Sequence, residues 1–146
     1  MDVLIREIEE KDFMALLPLW AEFGGYANAE NIVRHYDRIK NDTRYKTYVA
    51  VSNSVSNNEI VGFITSVQYF GIGIEGSYMV IVGICVKQDL QGKGIGTKLM
   101  KRMEVFAKES NVFSIYLNSD IKRVDAHAFY ERNGYRKHSY GFGKTI

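Results

Sequence analysis

VGICVKQDLQGKGIGTKLMKRMEVFAKE, running from Val82 to Glu109, is in order an apolar run, a polar bend, a glycine cluster and an amphipathic segment. Val82 to Val86 is short, apolar and rich in β-branched residues, the composition of a buried strand. Lys87-Gln88-Asp89 interrupts it. From Ile95 onward Ile95, Leu99, Met103 and Phe106 recur at three- and four-residue spacing, with Lys98, Lys101, Arg102, Glu104 and Lys108 on the other side. That spacing predicts a helix. Gly92, Gly94 and Gly96 therefore fall where a strand turns into a helix. The first N–H groups of a helix lack partners within it, and the helix dipole favours negative charge there. A backbone without β-carbons can close around a bound group. Gln91, Lys93, Ile95 and Thr97 complete this loop, which suits a phosphate or pyrophosphate.

Two nucleotide motifs are tested against the chain. A Walker A loop requires Gly-x-x-x-x-Gly-Lys-Ser/Thr, but Gly92-Lys93 is followed by Gly94 and Lys87 occupies the first glycine position, so it is excluded. Gly71-Ile72-Gly73-Ile74-Glu75-Gly76 satisfies the dinucleotide pattern, yet a strand pattern follows it where the motif needs a helix. It reads as a hairpin loop, and a nucleotide-dependent oxidoreductase is disfavoured with it.

Outward from this centre, Val3 to Ile8 reads as a strand. Asp12 then caps a helix bearing Phe13, Leu16, Leu17 and Trp20 on one face. Residues 21–29 read as a connection and Glu30 to Lys40 as a second helix, with Ile32, Val33, Tyr36 and Ile39 inward and His35 on the surface. Tyr45–Ser52, Ile60–Tyr69 and Ser77–Val86 alternate as strands of an antiparallel meander, separated by a polar turn at 53–59 and the glycine loop at 71–76. Phe113 to Leu117 is a further strand, brought parallel to the last by the crossover helix. A final helix opens near Asp125, carries Ala126, Phe129 and Tyr130 on one face, and ends at Asn133-Gly134. Tyr135 to Lys144 reads as closing strands with Tyr140 and Phe142 on one face. The expected architecture is α/β (α+β in detail): one domain over residues 1–146, with a mixed, mostly antiparallel central sheet flanked by about four helices.

The 146 residues carry 19 basic and 17 acidic side chains, a net charge of +2, and this balance gives no nucleic-acid footprint. Hydrophobic residues make up 46% of the chain, enough for a core, yet no run reaches the ~18 apolar residues that cross a membrane. One cysteine, Cys85, excludes an internal disulfide framework and reads as a small core residue rather than a nucleophile. The charged start lacks the apolar core of a signal peptide. A soluble, cytoplasmic protein is expected.

Gln91-x-x-Gly94-x-Gly96, preceded by a strand, resembles the Arg/Gln-x-x-Gly-x-Gly/Ala signature of the GNAT superfamily of N-acyltransferases. Ala126-His127-Ala128-Phe129-Tyr130-Glu131-Arg132-Asn133-Gly134-Tyr135 is similar to a second segment of that family, and the two occur in the family's order. The resemblance implies a mixed sheet with acetyl-CoA as cosubstrate, and no metal is expected because the loop supplies N–H donors in place of a cation. The pyrophosphate would lie on Gln91 to Thr97, and the pantetheine would pair with the backbone of Ile84, Cys85 and Val86. Asn118 would contact the cofactor, with ordinary strand termination the alternative. Tyr130 would act as general acid toward the departing thiolate, a role a phenol protonated at pH 7 can fill. It also implies that Trp20, Phe23 and Tyr26 touch substrate, with core packing the alternative for Trp20.

The acceptor is expected to be a primary amine, on a small molecule or a peptide, with Glu22, Glu30, Glu75 and Asp120 as candidate lining charges. The general base is left open among Glu75, Asp120, His127 and water. A homodimer is open as well. The alternative function is a non-catalytic acyl-CoA-binding module, which would keep the glycine loop and have no need of Tyr130.

Overall fold

The computed structural model describes residues 2–22, 29–53 and 58–146. The chain forms two compact units, Met1–Tyr116 and Leu117–Ile146. The elements in order are β1 (Val3–Glu7), a 3₁₀ turn (Glu10–Ala15), α1 (Leu16–Glu22), α2 (Ala29–Ile39), β2 (Tyr45–Ser52), β3 (Ile60–Tyr69), β4 (Ser77–Val86), a second 3₁₀ turn (Gln88–Leu90), α3 (Ile95–Glu109), β5 (Val112–Leu117) and α4 (Val124–Arg132). The strands lie in the order β1-β2-β3-β4-β5. The first three pairs are antiparallel, and β5 adjoins β4 across the α3 crossover. The mostly antiparallel sheet with four helices matches the architecture expected from the sequence.

Alternation along β3 and β4 assigns their two faces. Ile64, Ser66, Met79 and Ile81 are buried on the side of α3, where Ser66 Oγ donates to Met103 Sδ at 3.3 Å. Leu16, Leu19 and half-buried Trp20 of α1 pack on the opposite side with Val49, Val51, Phe63 and Cys85. The Trp20 ring lies 5.9 Å from that of Phe63, and a β-carbon added to Gly83 would come within 3.3 Å of it. Gly83 thus leaves room for the indole, and Trp20 is a packing residue here. Between Thr65–Gly83 and Ser66–Ile81 the register skips Val82, a β-bulge. The bulge keeps Ile81 toward α3 and Gly83 toward α1.

The structure corrects several expectations. Asp12 does cap, but from inside the turn. Its carboxylate accepts the Glu9 N–H at 2.8 Å while Arg6 donates to both of its oxygens at 2.6 and 3.0 Å. Leu19 rather than Leu17 is the buried partner of Leu16, and Val33 of α2 is exposed. Tyr36 does turn inward, stacking against Phe13 at 4.1 Å, and His35 is exposed as expected. Among the described residues no strand follows α4, so the closing strands at Tyr135–Lys144 do not form. Tyr140 and Phe142 are 88% and 97% exposed. Aromatic alternation favours a strand only where a ladder partner and a face to bury exist, and Gly141 and Gly143 further weaken this one. Phe23 and Tyr26, the Gly24-Gly25 pair between them, and residues 54–57 of the polar turn lie outside the described residues.

Candidate functional site

The α3 helix begins at Ile95, where the apolar spacing predicts it, and Ile95 is buried as the first anchor. Gly94 is its N-cap at φ 82°, and Gly92 stands at φ 75°. Side chains rarely adopt that left-handed conformation, so it is backbone geometry that demands glycine at both positions. A β-carbon at either would meet nothing within 4 Å. The space over the loop is open, and residues 91–94 face solvent. No side chain caps α3 and no acidic residue lies in its first turn. The N–H groups of Ile95, Gly96 and Thr97 accordingly have neither a helical partner nor a competing carboxylate. The donor set fits a pyrophosphate.

The strand side of the loop is tied down at two points. Gln91 Nε2 donates to the Val86 carbonyl at 3.1 Å. The Gln88 N–H donates to Glu22 Oε2 at 2.9 Å, joining the end of α1 to the exit of β4. Glu22, expected only as a lining charge, thus has a structural partner at the loop. Lys87 is held by Glu59 at 2.8 Å. Cys85 is buried and its thiol donates to the Leu19 carbonyl at 3.2 Å, a core role. Ile84 to Val86, Gln91 and the glycine turn are therefore contiguous in the first unit.

In the second unit α4 fixes Tyr130. Gly134 takes φ 86°, and its N–H donates to Glu131 O at 3.0 Å while that of Tyr135 donates to Tyr130 O at 3.0 Å. These two bonds are a Schellman ending, and the Tyr135 ring sits 6.5 Å from that of Tyr130, as the motif's apolar contact requires. Phe129 flanks the phenol at 5.4 Å. Burial raises the Tyr130 pKa above its ordinary value, partly offset by Arg123. The phenol is thus held protonated through neutral pH.

The remaining candidates fall into structural roles. Asp120 Oδ1 accepts the Lys122 N–H at 2.8 Å, and His127 Nε2 donates to the Asp120 carbonyl at 2.8 Å, so both groups brace the turn into α4. Glu30 pairs with Arg34 across one helical turn at 3.1 Å, and Glu75 is exposed in the loop before β4. Asn118 is exposed, with its amide 3.5 Å from where a β-carbon on Gly141 would stand. The neighbouring Ser119 Oγ is buried without a hydrogen-bond partner, a feature that nothing in the sequence announces. Among the described residues no three His, Cys, Asp or Glu side chains converge on a metal-sized site. No helix among them is long and apolar enough to cross a membrane.

Comparison with known proteins gives consistent results. The model of the Acetyltransferase (GNAT) family matches residues 5–135. A curated relative, the aminoalkylphosphonate N-acetyltransferase of Salmonella typhimurium, is 30% identical over 93 residues, 64% of this chain and 60% of the relative. The match thus spans well under two thirds of that enzyme. A solved protein from Bacillus halodurans, described as a transcriptional regulator, superposes with a TM-score of 0.89 at 25% identity, covering 99% of this chain and 100% of its own. An aminoglycoside acetyltransferase from an uncultured soil metagenomic sample, solved with sisomicin, gives 0.85 at 23% identity, covering 99% of this chain and 96% of its own. This last likeness speaks for the fold alone.

Proposed function

The chain belongs to the GNAT family of acetyltransferases, and from that premise we propose that residues 1–146 act as one domain transferring an acetyl group from acetyl-CoA to a primary amine. The observation that carries the proposal is the start of α3, where Gly92 and Gly94 are left-handed, the space above them is open and the first-turn N–H groups lack a cap. Gln91 to Thr97 would hold the pyrophosphate without a metal. The backbone of β4 at Ile84, Cys85 and Val86 would pair with the pantetheine as an added ladder partner.

Acetyl-CoA supplies an activated thioester. The chain's own residues are assigned the rest. Backbone donors orient the thioester, and the N–H groups around it polarise its carbonyl as the amine attacks. The raised pKa of Tyr130 suits it to protonate the departing sulfur. With Asp120 and His127 engaged in their turn, water or Glu75 is the preferred acceptor of the amine's proton. Asn118 is assigned a cofactor contact. The Salmonella relative is named as an aminoalkylphosphonate N-acetyltransferase, which supports an amine acceptor here, small molecule or peptide. A cytoplasmic setting and a homodimer are compatible with the assignment.

The test is release of free thiol from acetyl-CoA across a panel of amines, with calorimetry of acetyl-CoA binding in the presence of a chelator. Binding that survives chelation, with thiol release for at least one amine, supports the proposal. Binding without release from any amine favours a non-catalytic acyl-CoA module. No binding at all refutes both.

A further inference from the structure

Around Tyr78, which lies on the face of the sheet where α1 packs and beyond the reach of Trp20, four aromatic rings meet. Tyr69 and Tyr78 are direct partners across β3 and β4, with ring centroids 5.6 Å apart. Tyr78 also meets Phe113 of β5 at 5.9 Å and Tyr116 of β5 at 5.5 Å, both edge to face. The hairpin loop lies against this hub, since a β-carbon on Gly71 would approach both Tyr78 and Ile74 within 3.2 Å. Phe113 is 72% exposed and Tyr69 40%, so the platform is open on its outer side. Its four side chains bring three hydroxyls and no charge.

The position of the platform gives it a role. Because Phe113 and Tyr116 both reach Tyr78, β5 runs beside the first half of β4, and Tyr116 stands one residue from the end of β5. The bulge at Val82 follows on β4, and beyond it lie Ile84 to Val86, where the proposed function puts the pantetheine. The thioester end would then lie toward Val82, roughly 13 Å along the strand from Tyr78 at ~3.3 Å per residue. Val80, paired with Val67 on the same face, fills the interval with apolar surface.

We propose that Tyr69, Tyr78, Phe113 and Tyr116 form the acceptor platform, and that the acceptor is an amine carried at the end of a flat, uncharged aromatic body. This rests on the acetyltransferase assignment above. Ring faces and edges of this kind bind other aromatic groups in offset or edge-to-face geometry. A polycationic or phosphonate-bearing amine would instead call for charges that these four side chains do not supply. The acceptor class thereby differs from the acceptors named for the relatives.

The experiment uses the full chain saturated with acetyl-CoA and compares 2-phenylethylamine and tryptamine with ethylamine, putrescine and 2-aminoethylphosphonate. The aryl amines are expected to give kcat/KM about tenfold or more above the others, chiefly through KM, in keeping with the worth of aromatic pairs. The exposed Phe113→Ser, which leaves the core intact, should close most of that gap, and Tyr78→Leu should close it further. A second readout needs no turnover. With CoA bound, 2-phenylethylamine should broaden tyrosine ring resonances at concentrations where ethylamine does not. Equal use of ethylamine or putrescine, or a gap that survives both substitutions, overturns the platform while leaving the acetyltransferase assignment standing. Failure to bind acetyl-CoA would overturn that assignment, and the platform with it.

Discussion

Glu22 Oε2 accepts the backbone N–H of Gln88 at 2.9 Å, linking residues 66 positions apart in the chain. Through this one bond the last residue of α1 holds the first residue of the 3₁₀ turn that leads from β4 to the glycine turn. Glu22→Ala should loosen that turn without unfolding the sheet. The glutamate is exposed, so the loss is about 1 kcal/mol or less. KM for acetyl-CoA should rise by up to about fivefold with kcat nearly unchanged. Steady-state kinetics check this, and an unchanged KM would show that the bond does not position the loop.

Gly94 is sensitive for a different reason. Its φ of 82° makes any side chain there strained, by roughly 1–2 kcal/mol even for alanine. Gly94→Val should weaken acetyl-CoA binding by at least tenfold, because relief of the strain reorients the N–H groups at the helix start. Far-ultraviolet circular dichroism should stay close to wild type, as Ile95, Leu99 and Met103 still anchor α3. Native affinity in this variant would place the binding site elsewhere.

Tyr130→Phe keeps both the ring contacts and the carbonyl that accepts from Tyr135. Acetyl-CoA affinity should hold while kcat and kcat/KM fall together by about 10²–10⁴, the usual worth of general acid catalysis. The raised pKa fixes the sign of the pH dependence. Loss of the phenolic proton belongs to pH above ~10, so wild-type activity should rise from pH 7 to 9 as the amine deprotonates and show no alkaline decline in that interval. An alkaline limb below pH 9, absent from Tyr130→Phe, would contradict this.

Stability toward acid should depend on Asp12. The Arg6 guanidinium, with the Glu9 N–H, holds its carboxyl below the ordinary value of 3.8. A depressed carboxyl stabilises the fold above the unfolded-state value, and the contribution disappears as pH falls through the lower folded-state value. Thermal denaturation of Asp12→Asn should therefore show a loss near pH 7, roughly 1.5–3 kcal/mol for a hydrogen bond to a charged group. The difference from wild type should shrink below about pH 4. A difference that persists unchanged at pH 2 would remove the carboxylate from the explanation.

The legible parts of this chain are those set by local chemistry. The start of α3, the false dinucleotide pattern at 71–76 and the left-handed end of α4 at Gly134 each follow from a few neighbouring residues, and each lies where the sequence puts it. What escapes is set by register and by distant pairing. The Val82 bulge arises only when β3 and β4 are laid side by side, and the ring cluster around Tyr78 draws on three strands. Glu22 reads in the sequence only as a candidate lining charge, because its partner is a backbone N–H on another element. The missing strands at 135–144 show the converse. Alternation was present there, but strand formation depends on a partner that no local pattern encodes.

The extra residue at the bulge also bears on how this chain can change in length. In a regular strand, losing one residue turns every side chain on one side of the cut to the opposite face. At Val82 the rule is suspended. With that residue deleted, Ile81 could still pair with Ser66 under α3 and Gly83 with Thr65 beneath Trp20, now as consecutive positions of an unbroken ladder. Such a deletion would spare the core and straighten the strand. Because bulges bend and twist the strand that carries them, the straightened β4 would follow β5 more closely, leaving less room for the ladder-pairing ligand proposed there. A one-residue deletion here is thus expected to separate folding from binding, leaving a stable protein with no cofactor groove.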